Sequence, residues 1–415
     1  MTQTSPWYSY INGRTVSILF LGFSSGLPLY TLIYLMQAFL ATAGLSLQAL
    51  GLFGLVLFPY TFKFLWAPFM DRYTVLPLGR RRGWMAVTQL ALFVLIGLLG
   101  MCDPKAGQWL IGGAAFLVAF TSASQDVVID AYRREILAEE EQGLGAAIIV
   151  NAYKASSLIP SALGLVMAAS QPWQIVFWTV AAFMLPGFIC TLVAKEPALY
   201  GTPPKNLQEA VVLPFREFVQ RDGMKQALFI IAFILLYKIG DSMSTALSTK
   251  FFLDTGFTTK QIGLAANATG WWAAFAGGAV GGIWMIKLGI NRALWVFGVL
   301  QALAILGFAW LAQVGPDPVL LSAVYGFEAF ASPGLGAAAL VAFMSRATDP
   351  RYTATQYALF SSLAAVPRTF INSSVGYIVA ETGWFWFFIV CFILAFPAMM
   401  MLPKIAPWNS RHEKP

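Results

Sequence analysis

Long apolar stretches alternate along this chain with short polar connections, many of which carry arginine. Twelve stretches reach about 20 residues or more, the length that crosses a bilayer as a helix. They are Thr15–Thr42, Gln48–Met70, Gly83–Met101, Trp109–Arg133, Gly143–Ala169, Trp173–Ala194, Lys225–Phe252, Gln261–Ile286, Ala293–Ala312, Pro318–Ser345, Thr353–Ala380 and Trp384–Pro403. In lipid every backbone polar group must be satisfied within its own segment, so the pattern predicts an all-α membrane protein with twelve transmembrane helices. The longest connection, Lys195–Met224, holds Pro197, Pro203, Pro204 and Pro214. Its basic stretch Phe215–Lys225 suits a membrane surface. It separates an expected six-helix bundle over 1–194 from a second over 225–415, which ends in a short tail.

The halves look related. Gly44–Leu52 (GLSLQALGL) parallels Gly256–Phe257 and the residues to Leu264 (GFTTKQIGL). The same offset aligns Gly79-Arg80 with Asn291-Arg292, and Arg134 with Arg346. Several anchors at one offset point to an internal duplication. Paired six-helix repeats are a transporter architecture in which the ligand site lies between the halves.

The net charge of +7 could suggest a nucleic-acid partner, but its distribution argues against one. Nineteen of the 26 Lys and Arg fall at the N-terminus, in the even-numbered connections and in the tail, whereas Lys105, Lys250 and Lys260 are alone on the other side. That asymmetry places both termini in the cytoplasm. Met1–Gly13 lacks the pattern of a signal peptide, so the first helix is expected to be retained. The scattered Cys102, Cys190 and Cys391 form no metal or disulfide spacing.

Against 58% hydrophobic and 11% charged residues, eight charges stand inside apolar stretches: Lys63, Asp126, Asp130, Lys154, Lys238, Asp241, Glu328 and Arg368. A charge at the bilayer centre costs about 2.5–3.5 kcal/mol on insertion scales unless paired or hydrated. Four bases against four acids predict a buried polar pathway. Asp126 and Asp130, four apart, share a helix face. A proton-coupling role suits Asp126, Asp130, Asp241 and Glu328, with Asp130 also placed to gate; the bland reading is static ion pairing. Lys154 and Arg368 lie at similar depth in repeat-related segments and suit an anionic ligand, or else neutralise Glu328 or Asp126. Lys238 is a further substrate-binding candidate, although Lys238 and Asp241, three apart, can instead pair with each other. Lys63 is expected to bridge to the aspartates of the fourth segment. Gln37, Gln125, Asn151 and Tyr153 are polar positions able to contact a sugar. Helix breaks are expected at Gly26-Leu27-Pro28 and at Ser332–Gly336.

Several motifs resemble the anhydromuropeptide permease family (AmpG type) of the major facilitators. They are Gly22–Pro28 (GFSSGLP), Phe62–Arg72 (FKFLWAPFMDR), Gly79–Trp84 (GRRRGW), Ser122–Tyr132 (SASQDVVIDAY) and Ala354–Ser362 (ATQYALFSS). The resemblance is densest in the first four segments and spans most of the chain. It implies proton-coupled import of N-acetylglucosamine–anhydro-N-acetylmuramyl peptides across the bacterial inner membrane, by a monomer that rocks between two states. Well-known enterobacterial members are longer by two helices, and eukaryotic acetyl-CoA transporters are distant relatives. The facilitator signature between helices 2 and 3, roughly G-x-x-x-D-R-x-G-R-R, is present in stretched form as Ala67 to Asp71-Arg72, then Gly79-Arg80-Arg81. It implies a gating or latch role for Asp71, Arg72, Arg80 and Arg81. A facilitator for another anionic metabolite and a non-transporting muropeptide sensor remain the alternatives.

Enzyme chemistry finds little support. His412, in the tail, is the only histidine, which leaves no His-based triad or zinc site for a membrane core. Gly143-Leu144-Gly145 lacks the third glycine and the strand of a dinucleotide fingerprint. No cofactor is expected; the partners are a small anionic substrate, protons and the lipid bilayer.

Overall fold

A computed structural model describes residues 11–43, 54–103, 108–198, 207–370 and 375–408. The repeat anchor Gly44–Leu52 and Lys105 lie outside them. The described residues form an all-helical fold with twelve membrane segments: α1 (13–42), α2 (54–72), α3 (80–99), α4 (108–136), α5 (142–168), α6 (173–193), α7 (224–255), α8 (259–288), α9 (290–314), α10 (318–347), α11 (353–370, continuing from 375 to 382) and α12 (384–405). Nine helices among them are long and apolar enough to cross a membrane. The stretch 261–314 is two spans folded back at Gly289, and the shorter helices of α2 and α11 complete the set. Gly289 and Gly383 both have φ 74°, a conformation that favours glycine, and each turns one span into the next.

Several segments that read as continuous helices are not regular. In α2, Pro59 and Pro68 remove backbone donors, and α-helical turns alternate with 3₁₀ turns at Gly54–Leu57 and Lys63–Leu65. α7 is interrupted at Lys238 and Leu247, whose backbones leave the helical region. The two expected helix breaks are not breaks. α1 stays helical through Pro28 and widens into a π-turn at Thr31–Leu35, and α10 widens at Phe330–Gly336 around Pro333. A proline removes one N–H, and the ladder can absorb the loss by shifting register. Comparable π-turns occur in α5 (Ile159–Gly164, with Pro160) and α8 (Ala265–Gly270).

α8 packs closely against two helices at once. A Cβ at Gly278 would lie 2.2 Å from Asn151 Oδ1, and one at Gly282 2.5 Å from Ala147 Cβ, both on α5. One at Gly277 would lie 2.2 Å from the Phe330 carbonyl oxygen on α10. Two interleaved small-xxx-small patterns, 277/281 and 278/282, thus let one helix approach a neighbour on each side. Between α6 and α7 the linker helix Leu207–Asp222 lies on the end of α11. Gln356 Nε2 donates to the Pro214 carbonyl at 3.0 Å and to Glu217 at 2.6 Å, and Phe218 meets Phe360 edge-on. Burial pushes the Glu217 carboxyl above its ordinary range.

Candidate functional site

The charged residues collect in three places. The first is the arginine-rich end, where α2, α3, α4 and α11 meet. Arg81 is fully buried and joins two carboxylates: Nη2 lies 2.7 Å from Asp71 Oδ1 and 2.6 Å from Glu135 Oε1. Arg80 also reaches Glu135, at 3.2 Å. The Glu196 carboxylate accepts the backbone N–H groups of Arg81 and Arg82 at 2.8 and 3.0 Å, which caps the positive end of α3. The second Asp71 oxygen accepts from Thr355 N–H and Oγ1 at 2.9 and 2.7 Å, so this network crosses from α2 to α11. Arg133 of α4 lies over the Tyr357 ring of α11 at 5.4 Å. The Arg72 guanidinium lies over Tyr73 instead, at 5.3 Å.

The second place surrounds Asp126, which is buried and accepts a hydrogen bond from the Ser25 hydroxyl of α1. Asp130, one turn on, lies 3.6 Å from Arg133. Lys63 is buried and close enough to act electrostatically on both aspartates, but among the described residues it forms no direct ion pair with either. The expected bridge is therefore a field interaction: the 3₁₀ turn at Lys63–Leu65 sets the side chain apart from α4. Tyr153 meets Tyr30 edge-on at 5.7 Å, and Tyr30 stacks on Tyr34. Gln37 is exposed. Gln125 is fully buried and donates to Ser24 at 2.9 Å, so in this conformation it serves the α1–α4 contact.

The third place is near the middle of α7 and α10. Lys238 pairs with Asp241 at 3.0 Å and donates to Gln301 of α9 at 2.9 Å and to the Ser332 hydroxyl of α10. Glu328 is buried and close enough to Asp241 and Lys238 to act on both electrostatically. Lys154 reaches across from α5 and donates to the Pro333 carbonyl, inside the widened turn of α10. Asn151, one turn earlier, donates to the Phe275 carbonyl at 3.1 Å. Lys154 thus has a backbone oxygen, not an acid, as its hydrogen-bond acceptor. The Arg368 side chain lies outside the description. Lys238 and Asp241 keep 20% and 15% of their side chains accessible, while Asp71, Arg81 and Glu135 keep at most 1%. The network at the arginine-rich end is therefore packed shut, whereas the Lys238–Asp241 pair keeps some access.

Sequence reasoning missed Ser25, Glu135, Glu196, Gln301, Ser332 and Thr355. Gln301 carried a usable signal, a lone amide in the otherwise apolar stretch Ala293–Ala312 of α9. Ser25 and Thr355 sit inside motifs already singled out. Glu135 and Glu196 lie at helix ends, where a charge costs little and so attracts no attention.

The sequence profile of the Major Facilitator Superfamily matches residues 15–371. An uncharacterized protein of Haemophilus influenzae is 43% identical over 95% of each chain. The anhydromuropeptide permease of Escherichia coli K12 is 37% identical over 94% of this chain and 79% of its own, which makes it the longer protein. Among solved structures, the facilitator FucP in its outward conformation superposes with a TM-score of 0.70 at 13% identity, covering 95% of this chain and 99% of that one. The fold and both sequence relationships agree: the chain is a multi-pass membrane transporter that belongs to the anhydromuropeptide permease family of the Major Facilitator Superfamily.

Proposed function

We propose that the chain imports N-acetylglucosamine–anhydro-N-acetylmuramyl peptides from periplasm to cytoplasm, together with protons, as a monomer in the bacterial inner membrane with both termini cytoplasmic. The observation that carries this reading is the engagement of Lys154. A buried ammonium held by a carbonyl can exchange that partner for a carboxylate, which makes a stronger charge-assisted bond. The peptide carboxylates of such a substrate supply one, and Arg368 would supply a second cation. Residues 1–194 and 225–415 act as two rocking bundles joined through 195–224. The Asp71–Thr355 contact is the latch that must open on the cytoplasmic side. Asp126, Asp130, Asp241 and Glu328 are the candidate proton carriers.

Uptake of labelled anhydromuropeptide into proteoliposomes tests this directly. Accumulation is expected to follow an imposed pH gradient and to vanish when the gradient is collapsed. Asp126→Asn keeps an acceptor for Ser25 but cannot titrate. It is expected to retain substrate exchange and to lose gradient-driven accumulation. Wild-type accumulation by that variant removes Asp126 from the coupling, and no uptake by the parent protein removes the substrate.

Orientation has its own test. A membrane-impermeant thiol reagent added outside intact cells should label a cysteine placed at Lys105 and spare one placed at Lys205. The opposite pattern inverts the topology.

A further inference from the structure

A cleft of ≈1140 Å³ opens between the ends of α1, α4 and α6, on the outer surface of the arginine-rich end and away from the pathway between the halves. Its chemistry is graded along the helix axis. The wall toward the bilayer interior is apolar, formed by Val16, Phe20, Ile189 and Val193. These side chains are exposed, Ile189 by 59% and Val193 by 76%. The mouth, where the spans end, carries Arg14 and Lys195. Arg14 is 46% exposed while bonded to Glu141 at 2.7 Å, and Lys195 is exposed and forms no ion pair among the described residues.

Two carboxylates also border the cleft, and both already have partners. Glu135 is held by Arg80 and Arg81, and Glu196 by the backbone of Arg81 and Arg82. Arg82 itself donates to the Thr191 carbonyl at 2.9 Å and the Leu192 carbonyl at 2.5 Å, beside the same mouth. With both carboxylates engaged and Arg14 shared with Glu141, the unpaired charge at the rim among the described residues is the Lys195 ammonium, and it is positive.

An apolar channel at membrane depth beneath a basic rim fits a molecule with acyl chains and an anionic head. We propose that this cleft binds an anionic phospholipid, with its phosphate between Arg14 and Lys195 and its chains along Phe20, Ile189 and Val193. The headgroup would tie the start of α1 to the end of α6. Glu196 follows Lys195 directly and caps α3, so an occupied cleft would also hold Arg81 in its buried network and favour the closed arginine-rich end.

The experiment is native mass spectrometry of the full-length protein released from nanodiscs containing phosphatidylglycerol and phosphatidylcholine. Wild-type protein is expected to retain phosphatidylglycerol in preference to phosphatidylcholine. Lys195→Gln, at an exposed site that tolerates substitution, should weaken that retention about fivefold, the effect of one basic charge near an anionic surface. Ile189→Trp, which fills the channel, should lower retention with every charge intact. Arg292→Gln, at the matching end of the second half where Arg292 lies over Trp408, should leave it unchanged. Equal retention by wild type and Lys195→Gln, or no preference between the two lipids, overturns the proposal. So does a gain of lipid on removing residues 1–10, because the chain's own N-terminus would then be the occupant.

Discussion

Arg81→Gln is expected to destabilise the protein by about 3–5 kcal/mol, the usual cost of removing one partner from a buried ionic cluster. The reason is what remains. Asp71 and Glu135 lose the guanidinium that lies 2.7 and 2.6 Å from them, and both carboxylates are buried. Arg80 at 3.2 Å still serves Glu135, and Thr355 still serves Asp71, but neither replaces a fully buried cation held between two carboxylates. Thermal unfolding in detergent measures the loss. Glu135→Gln in the Arg81→Gln background should recover part of it, because one orphaned charge is removed; coupling of this kind is what a double-mutant cycle detects. Strictly additive losses would mean that the two side chains do not act as a unit. The same variant should also open the arginine-rich end, since Asp71 links α2 to α11 only while its other oxygen is held in place. A cysteine at Ser345, buried at the foot of α10, should then become reactive to a soluble thiol reagent.

Lys154→Gln is expected to raise the apparent Michaelis constant for a peptide-bearing substrate roughly 30-fold or more. Truncating one member of a buried charge-assisted pair costs about 2–5 kcal/mol, much of it from the group left unpaired, and each 1.4 kcal/mol is about tenfold. The sugar stripped of its peptide should be affected much less, although a lactyl carboxylate on the muramyl ring remains a second anionic point. Lys154→Arg should rescue in part, because it keeps the charge but changes the geometry that reaches the Pro333 carbonyl. An equal loss for both substrates would show that Lys154 serves only the contact between α5 and α10. The structure makes that alternative concrete, since Lys154 bonds from α5 to α10 while Asn151, one turn earlier, bonds across the seam where Gly278 and Gly282 let α8 approach α5.

The sequence alone determined the class of the protein. Twelve apolar stretches can only be helices in lipid, because each backbone must satisfy itself locally, and this holds whatever the helices pack against. The Lys238–Asp241 pair was legible for the same reason: three residues apart on a helix is a neighbour relation independent of tertiary structure. The family motifs were local as well. What sequence could not decide was which distant groups meet. Lys63 looked like a partner for Asp126, yet Ser25 of α1 holds that carboxylate, because the prolines of α2 break its register and set Lys63 apart. Lys154 looked placed for an anionic ligand or else for Glu328 or Asp126, yet it bonds a backbone oxygen that a widened helical turn exposes. Glu135 and Glu196 drew no notice at their helix ends, yet they close the arginine-rich network. Helical periodicity places a side chain on a face; only the packing of α2, α4, α8 and α11 decides what that face meets, because a buried charge takes whichever partner the fold brings within reach.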